Sequence, residues 1–318
     1  MLVSVCIPCY NAERYIGAAI ESVLAQSYRP VEIIVVNDGS TDGSLDVLER
    51  YKSRGVSVVS QKNAGQCAAA NHAFRQSTGE YIKFFDADDL LSPTYIELQM
   101  QRLRENQLDV ASASWGRFYN DDLSTFKLSP QSVWRDMDAR DWLVEAWMDA
   151  RPMMQCALWM IPRRILEKSG CWDESLSLIN DFEFFARVLC HTRNVLFTPD
   201  ATLFYRSGIA GSLSGQKSRK AVESAYHSLV NGTSHLLKVR DGLKAKTACA
   251  NMLQDFIYTY YPYHSDLTSE IASRINSLGG SNLRPSGSAS FNKLSSLFGW
   301  KFAKHLQLAY QTLIGARS

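Results

Sequence analysis

The sequence has no excess of charge of either sign and no long apolar run. Thirty-four lysine and arginine residues stand against 32 aspartate and glutamate residues, which leaves a formal net charge of +2. A protein that coats nucleic acid needs a strong basic excess, so we expect no nucleic-acid partner. No stretch reaches 18 apolar residues, and Pro8 closes the N-terminal apolar run. We therefore expect neither a membrane-spanning helix nor a signal peptide.

Cysteine and histidine patterns typical of disulfide or metal sites are also missing. Seven cysteines, an odd number spread through apolar surroundings, indicate reduced, buried thiols and predict a cytoplasmic location. Cys6 and Cys9 form a C-x-x-C pair, but Cys6 falls inside a predicted strand rather than at a helix N-terminus, which disfavours a redox site. His72 and His191 have no partners at metal-ligand spacing and are predicted to be structural.

What is present is an ordinary globular composition, with 46% apolar and 21% charged residues among 318. The first hundred residues alternate β-branched runs with segments of helical period, which predicts an α/β fold with a mostly parallel sheet flanked by helices. The predicted strands are 3–8, 31–36, 56–60 and 81–87. Three helices are predicted between these strands. The first begins at an Asn11 cap, the second ends near Arg54, and the third ends at Gly79.

After Ser92 the pattern is less regular. It predicts helices over 93–106, 136–149, 177–191 and 217–261, strands over 108–114, 156–162, 194–199 and 201–206, an irregular aromatic stretch after 114, and a loop over 208–216. We divide the chain into 1–100 and 101–210, the two halves of one α/β domain, then a helical extension (211–278), a flexible linker (279–290) and a C-terminal amphipathic helix (291–318).

The C-terminal helix has an apolar side and three nearby lysines. The apolar side consists of Phe291, Leu294, Phe298, Phe302, Leu306, Ala309 and Leu313. Packing onto the body of the protein explains this pattern. A peripheral contact with a membrane surface or a partner helix, helped by Lys293, Lys301 and Lys304, explains it as well.

Polar residues follow three of the predicted strands. Pro8-Cys9-Tyr10-Asn11 ends the first, Asn37-Asp38-Gly39-Ser40 the second, and Asp86-Ala87-Asp88-Asp89 the fourth. Ligands of open parallel sheets bind outside the carboxyl ends of the strands. An aromatic ring can stack on a base, and a carboxylate can accept its ring N–H. Acidic residues can face a diphosphate only through a hard divalent cation, so the pattern predicts a nucleotide-diphosphate site with Mn²⁺ or Mg²⁺.

These residues resemble the inverting family 2 glycosyltransferases of the GT-A fold. The resemblance is carried by residues 3–44, NAGQCAAANHAF, TGEYIKFFDADDLLSP and SGCWDESLSLINDFEFFAR. It implies a nucleotide-sugar donor, a UDP-sugar by expectation, bound by residues 1–100. In that half Pro8 and Tyr10 would line the base site, Asp38 would accept the base N–H, Asp86 would serve the ribose, and Asp88 with Asp89 would form the metal site.

The same resemblance implies that residues 101–210 hold the acceptor, a glycan or a lipid-linked sugar. Asp181 would be the general base that deprotonates the acceptor hydroxyl, with Arg187 six residues further on. Trp172 and Asp173, just before the base, would contact the acceptor sugar. The function implied is sugar transfer in glycan or polysaccharide biosynthesis.

Three departures from the family pattern keep an alternative open. The acidic pair is reduced to Asn180-Asp181, the arginine of the third-helix motif is Ala70, and the stretch with Arg206, Ser212 and Ser214 lacks a histidine. The alternative is a sugar-nucleotide-binding scaffold of the same fold without catalysis. A calcium loop over 38–49 is a weaker rival, because a strand rather than a helix precedes it.

Overall fold

A computed structural model describes residues 1–104, 106–209 and 218–315. The chain forms two compact units, the first made of residues 1–145 and 153–239 and the second of residues 146–152 and 240–318. The predicted boundary between residues 210 and 211 differs from this division. The helix that follows this boundary (Arg219–Val239) packs against the helix that carries Asp181 and so belongs to the first unit. Most of the predicted loop over 208–216, with Ser212 and Ser214, lies outside the described residues.

The described residues of the first unit form ten strands. They are β1 (Val3–Cys9), β2 (Val31–Asn37), β3 (Val56–Ser60), β4 (Tyr81–Phe84), β5 (Leu90–Leu91), β6 (Val110–Tyr119), β7 (Asp122–Leu128), β8 (Met137–Asp138), β9 (Ile161–Pro162) and β10 (Asn194–Ser207). One sheet has the order β3-β2-β1-β4-β9, and its first four strands are parallel. The other has the order β5-β10-β6-β7, with β8 on β10 and a parallel β6–β10 pair at its centre.

Twelve α-helices lie in the described residues. They are α1 (Ile16–Leu24), α2 (Ser44–Lys52), α3 (Gln66–Gln76), α4 (Tyr95–Leu103), α5 (Ala139–Trp147), α6 (Arg163–Ser169), α7 (Asn180–Cys190), α8 (Arg219–Val239), α9 (Leu243–Tyr260), α10 (Ser265–Ser277), α11 (Ala289–Phe298) and α12 (Trp300–Gly315). None of the helices described is long and apolar enough to cross a membrane. The predicted α/β class with a mostly parallel sheet is confirmed.

The sheet forms where the sequence predicts it because its central strands are apolar on both faces. Every residue of β1 except Pro8 is buried, as are the last five residues of β2. Helix α3 packs against β1 and β2 with its small and apolar residues buried. The carboxyl ends of β1, β2 and β4 therefore share one edge of the sheet.

Several local predictions need correction. Asn11 does not cap α1, which begins at Ile16; it takes a φ of +48° and its Oδ1 accepts a hydrogen bond from the Thr41 N–H, at 2.8 Å. The aromatic stretch is not irregular, because β6 runs on to Tyr119 and β7 returns beside it. Residues 156–162 form a 3₁₀ turn and a two-residue strand. The two closing strands are the single strand β10, with an irregularity between Thr198 and Thr202.

The C-terminal region also differs from its prediction. The helical region over 217–261 is two helices, and the single amphipathic helix is two helices divided at Gly299, whose φ is +84°. In the predicted linker, the Ser281 Oγ and the Asn282 N–H donate to Asn251 Oδ1, at 2.7 and 3.1 Å. Flexibility of this segment stays a prediction.

Candidate active site

The loop after β2 is organised around Asp38, which is only 2% exposed. Its Oδ1 accepts hydrogen bonds from Gln61 Nε2 (2.7 Å) and the Ala64 N–H (2.9 Å), and its Oδ2 accepts one from the Gly65 N–H (2.9 Å). Gln61 in turn lies 2.7 Å from His72 Nδ1. A carboxylate has about four lone-pair positions, so one acceptor position of Asp38 remains for a ligand.

The residues predicted to contact the base lie next to this loop. Cys9 at the end of β1 accepts a hydrogen bond from the Asp38 N–H through its carbonyl, at 2.8 Å, so the two strand ends are joined directly. Tyr10 is 52% exposed, and Pro8 is partly exposed. Tyr10 thus presents an unburied ring beside Asp38, as a stacking role requires.

Asp86, Asp88 and Asp89 form one cluster after β4, with a carboxylate oxygen of each within 4.8 Å of the others. Burial raises the pKa of all three carboxyl groups. The charge of Asp86 adds to this effect on Asp88, whose pKa is raised to about 7. Such a cluster favours a cation, and carboxylate oxygens are the ligands that Mn²⁺ and Mg²⁺ prefer.

Sequence reasoning missed the amides that hold this cluster. Gln155 Nε2 donates to Asp86 Oδ2 (2.9 Å) and Asp89 Oδ2 (2.8 Å), and Gln66 Nε2 donates to Asp86 Oδ1 (3.0 Å). Gln155 lies outside every motif and 66 residues after Asp89, so no local signal points to it. Gln66 lies in the NAGQCAAANHAF motif, but the sequence predicted no role for it.

Arg206 on β10 supplies positive charge to the cluster from the other sheet. Its backbone N–H donates to Asp89 Oδ1 (2.8 Å), its Nε donates to the Asp88 carbonyl (2.6 Å), and its guanidinium pairs with Asp121. Tyr15 and Phe118 lie against the guanidinium, with ring centroids 4.8 and 4.6 Å from its central carbon. The resemblance singled out Arg206, and the structure brings it to the acidic residues.

Asp181 lies in the first turn of α7, directly after Ile179 in the left-handed conformation and Asn180. Burial raises the pKa of the Asp181 carboxyl well above its ordinary value, and the charge of Asp86 raises it further. Asp181 is therefore electrostatically linked to the acidic cluster, although the two are about a hundred residues apart in sequence. A carboxylate with a raised pKa is a stronger base.

Arg187 is engaged within the protein rather than offered to an acceptor. Its guanidinium forms a bidentate pair with Glu183, at 2.7 and 2.9 Å, and donates to the carbonyls of Ser169, Gly170 and Cys171. These contacts tie the loop before Trp172 to α7. The geometry favours a positioning role over the predicted acceptor contact.

Trp172 is also packed more deeply than predicted. It is 7% exposed and stacks on Phe184 with ring centroids 3.8 Å apart, which argues against a stacking surface for a sugar. Among the described residues its indole Nε1 has no hydrogen-bond partner, and Trp172 lines a cavity of about 10 Å³ together with Ala70 and Asp86. Asp173 accepts hydrogen bonds from the N–H and hydroxyl of Ser175, at 2.9 and 2.6 Å.

The redox hypothesis and the calcium-loop hypothesis find no support in the described residues. Burial raises the pKa of the Cys6 and Cys9 thiols to about 12, so neither is a ready thiolate at neutral pH. Cys6 and Cys9 form no disulfide in the described part of the chain. The candidate calcium loop follows β2 and runs into α2, where Glu49 pairs with Lys52.

The family comparison assigns the chain to a protein family, and its α/β fold is of the GT-A type. Residues 4–170, about half of the chain, match the family model of glycosyl transferase family 2, and the chain belongs to that family. An uncharacterized glycosyltransferase of Rickettsia typhi is 31% identical over 197 residues, which cover 59% of this chain and 58% of that protein. YibD of Escherichia coli is 35% identical over 145 residues, covering 44% and 42%.

Solved structures share the fold at lower identity. A structure of residues 1–349 of Staphylococcus aureus TarS has a TM-score of 0.64 at 19% identity and covers 82% of this chain and 73% of that one. The mannosyltransferase PcManGT from Pyrobaculum calidifontis, in complex with GDP-Man and Mn²⁺, has a TM-score of 0.53 at 17% identity and covers 96% and 84%. The sequence matches span less than half of the length of YibD and 17% of GlyA from Streptococcus pneumoniae.

Proposed function

We propose that the protein transfers a sugar from a UDP-sugar to a hydroxyl of a glycan or lipid-linked acceptor, with inversion at the anomeric carbon and Asp181 as the general base. One observation carries this proposal: hydrogen bonds join the start of α7 to the acidic cluster, because Asn180, directly before Asp181, donates to Gln66 and Gln66 donates to Asp86. The charge of Asp86 also raises the pKa of Asp181. The candidate base and the candidate donor site therefore belong to one reaction centre. Displacement with inversion needs a base on the side of the acceptor.

The acceptor capacity of Asp38 supports a uracil base. Three N–H groups already occupy the carboxylate, which leaves room for one further donor. Uracil offers a single ring N–H flanked by two carbonyls, whereas guanine offers two adjacent donors that need both carboxylate oxygens. TarS has been solved in complex with UDP and with UDP-GlcNAc, which is consistent with this choice of nucleotide.

The acidic cluster fits a divalent cation. Its oxygens converge, burial and mutual repulsion make uncompensated charge costly there, and Gln155, Gln66 and Arg206 hold the carboxylates in place. Asp88 would hold Mn²⁺ or Mg²⁺, with Asp86, which is likewise partly exposed, and the buried Asp89 supporting it. When bound, the cation would neutralise the negative charge of the departing nucleoside diphosphate.

The side chains of the protein account for the remaining chemistry. Tyr10 would stack on the base and Asp38 would orient it, so that the sugar extends towards Asp86 and α7. Asp181 would then accept the proton of the acceptor hydroxyl on its carboxylate as the new glycosidic bond forms. General-base catalysis of this kind contributes about 10² to 10⁴ in rate.

We also propose that the C-terminal helices lie on an anionic membrane surface, which suits a lipid-linked acceptor. Side chains at one-turn spacing on α12, Phe302, Leu306 and Tyr310, are 47%, 43% and 66% exposed, and Phe298 at the end of α11 is 64% exposed. After Glu270 the sequence contains no acidic residue but has six lysines and arginines. An exposed apolar stripe with cationic surroundings is complementary to anionic lipid.

The test of the reaction separates chemistry from donor binding. Asp181→Asn keeps the shape of the side chain but removes the base, so we expect UDP release from UDP-sugars with acceptor to fall by about 10² or more while UDP affinity with Mn²⁺ stays unchanged. Tyr10→Ala is the matched control, because its ring is 52% exposed and can be removed at the surface. We expect about tenfold weaker UDP binding from lost stacking. Calorimetry and turnover are measured on both variants.

Three outcomes would contradict the proposal. Undiminished sugar transfer by Asp181→Asn would show that a group other than Asp181 is the general base. Binding without transfer by the wild-type protein, over a panel of UDP-sugars and acceptors, would favour the scaffold alternative. Equal UDP affinity with Mn²⁺ and with chelator would show that a metal ion does not contribute to UDP binding.

A further inference from the structure

Three amide side chains connect the start of α7 to the acidic cluster. Asn180 Nδ2 donates to Gln66 Oε1 at 3.2 Å, and Gln66 Nε2 donates to Asp86 Oδ1 at 3.0 Å. Gln155 Nε2 then joins Asp86 to Asp89, at 2.9 and 2.8 Å. We name Asn180, Gln66 and Gln155 the amide chain.

Backbone groups set the direction of every hydrogen bond in the amide chain. Asn180 Oδ1 accepts from the Asp181 N–H at 2.9 Å, so its Nδ2 must face Gln66. Gln66 therefore turns its oxygen towards Asn180 and its N–H donors towards Asp86. Likewise Gln155 Oε1 accepts from the Ala157 N–H at 2.8 Å, which leaves its Nε2 for the carboxylates. Asp86 thus receives an N–H on each of its two oxygens.

An acidic residue at position 180 would reverse the direction of the hydrogen bonds of Gln66. One carboxylate oxygen would still accept from the Asp181 N–H, but the other would face Gln66 Oε1, and both groups are acceptors. Gln66 would have to turn its amide over and present its oxygen to Asp86. Asn180 is 4% exposed, and a mismatched polar contact at a buried position is costly because water cannot repair it.

We infer that Asn180 is a positioning residue that acts through Gln66 to hold Asp86 in the orientation that receives the nucleotide and its cation. Position 180 holds an asparagine where the family pattern has an acidic residue, and the amide of Gln66 is oriented to suit that asparagine. This departure from the pattern is then not evidence against catalysis. The inference rests on the proposed function, since it concerns binding of UDP with a divalent cation. It adds a role for residues that the proposed reaction does not itself require.

A double-mutant cycle tests this inference. Asn180→Asp restores the acidic pair, and we expect it to weaken UDP binding in the presence of Mn²⁺ by about tenfold, which corresponds to one reversed hydrogen bond. Gln66→Met removes the connecting amide with little change in size, and we expect a loss of similar size. In the Gln66→Met background, Asn180→Asp should have no further effect, because the connection is already broken. Calorimetric titration of UDP with Mn²⁺ measures all four proteins.

Asn251→Asp serves as the control for placing a carboxylate at a buried asparagine. Asn251 is fully buried in the second unit and hydrogen-bonds Ser281 and Asn282, so its change should lower the melting temperature without altering UDP binding. If Asn180→Asp weakens binding equally in both backgrounds, or does not weaken it, the inference is wrong while the proposed function stands. If the wild-type protein binds no UDP with Mn²⁺, the proposed function fails and the inference fails with it.

Discussion

Lys83 shows how a single residue of the central sheet supports the site. It is fully buried on β4, three residues before Asp86, and its Nζ donates to the carbonyls of Ala157 (2.7 Å) and Trp159 (3.2 Å). Its ammonium group also lies 4.5 Å from the ring centroid of Tyr95. Lys83 thereby fastens the segment that begins with Gln155 to the strand that leads into the acidic cluster.

Burial makes this contact dependent on pH. Desolvation lowers the pKa of Lys83 to about 7, whereas the unfolded chain keeps its ordinary value of 10.5. Between these values the unfolded state binds more protons than the folded state, so stability rises with pH. We expect the contribution of Lys83 to the free energy of unfolding to increase from pH 7 to pH 8.5 by up to about 1.4 kcal/mol per pH unit, while the buried carboxyl groups of Asp88, Asp89 and Asp181 contribute a slope of the opposite sign.

Urea unfolding of the wild-type protein and Lys83→Met measures this effect. The range stops below the ordinary pKa of cysteine, 9.0 for Cys6 in the unfolded chain, because the buried thiols would add an opposite slope above it. The free energy of unfolding of the wild-type protein should rise relative to that of the variant as the pH increases. An equal slope in both proteins would assign the pH dependence to another group.

At the scale of the element, α7 is anchored by charged groups as well as by apolar packing. Glu183 binds Arg187 on the same helix and His235 on α8, whose Nε2 lies 2.9 Å from Glu183 Oε1. Ser228 of α8 joins the helix start, donating to the Ile179 carbonyl at 2.7 Å and accepting from the Glu183 N–H at 3.2 Å. The orientation of Asp181 therefore depends on α8.

Glu183→Gln should destabilise the protein strongly at neutral pH. Burial alone would raise the pKa of Glu183, but the hydrogen bonds from Arg187 and His235 lower it to about 2, against an ordinary value of 4.5. A lowered folded-state pKa stabilises the protein above pH 4.5, and this contribution disappears as the pH falls towards 2. We expect a loss of about 3 kcal/mol at pH 7 that shrinks across this window.

Urea unfolding at pH 7, 4 and 3 measures the loss, with Glu49→Gln as the control. Glu49 is half exposed and pairs only locally with Lys52, so its change should leave the free energy of unfolding within error. A loss for Glu183→Gln that does not depend on pH would show that packing, not charge, anchors α7.

At the scale of the whole molecule, the reaction residues all come from the first unit and the cationic tail from the second. Within the second unit, Phe291 and Ala303 are buried and Trp300 packs edge-on against Tyr258 and Tyr261. Phe298, Phe302 and Leu306 are exposed, and the helix break at Gly299 lies between the first two of them.

Vesicle sedimentation tests the proposed membrane surface. We expect the protein to bind vesicles that contain phosphatidylserine more strongly than neutral ones, and to release them as salt increases. Phe302→Ser with Leu306→Ser should weaken this binding about tenfold or more, since two apolar side chains no longer enter the lipid interface.

The matched control is Leu123→Ser with Leu128→Ser on β7, where both leucines are also about half exposed. These changes should leave vesicle binding intact. Binding that is absent in the wild-type protein, or equally lost in the control, would contradict the membrane assignment.

The sequence by itself determined the class of fold and where the site lies. Apolar runs and helical periods depend on neighbouring residues, so the four parallel strands and the polar residues at their ends could be predicted. The acidic cluster, Tyr10, Asp38 and Arg206 were predictable for the same reason, because motif and strand end coincide. The family match confirms the predicted family, and the roles of these residues stay predictions.

Only the tertiary structure decided which groups surround those residues. Gln155 reaches Asp86 across 69 positions, Arg187 is taken up by the loop before Trp172, and Trp172 is covered by Phe184. Periodicity carries no information about such partners, because each contact arises when elements distant in sequence pack together. The tail helices differed from prediction for a related reason: the left-handed φ of Gly299 is a backbone choice that an apolar pattern does not record.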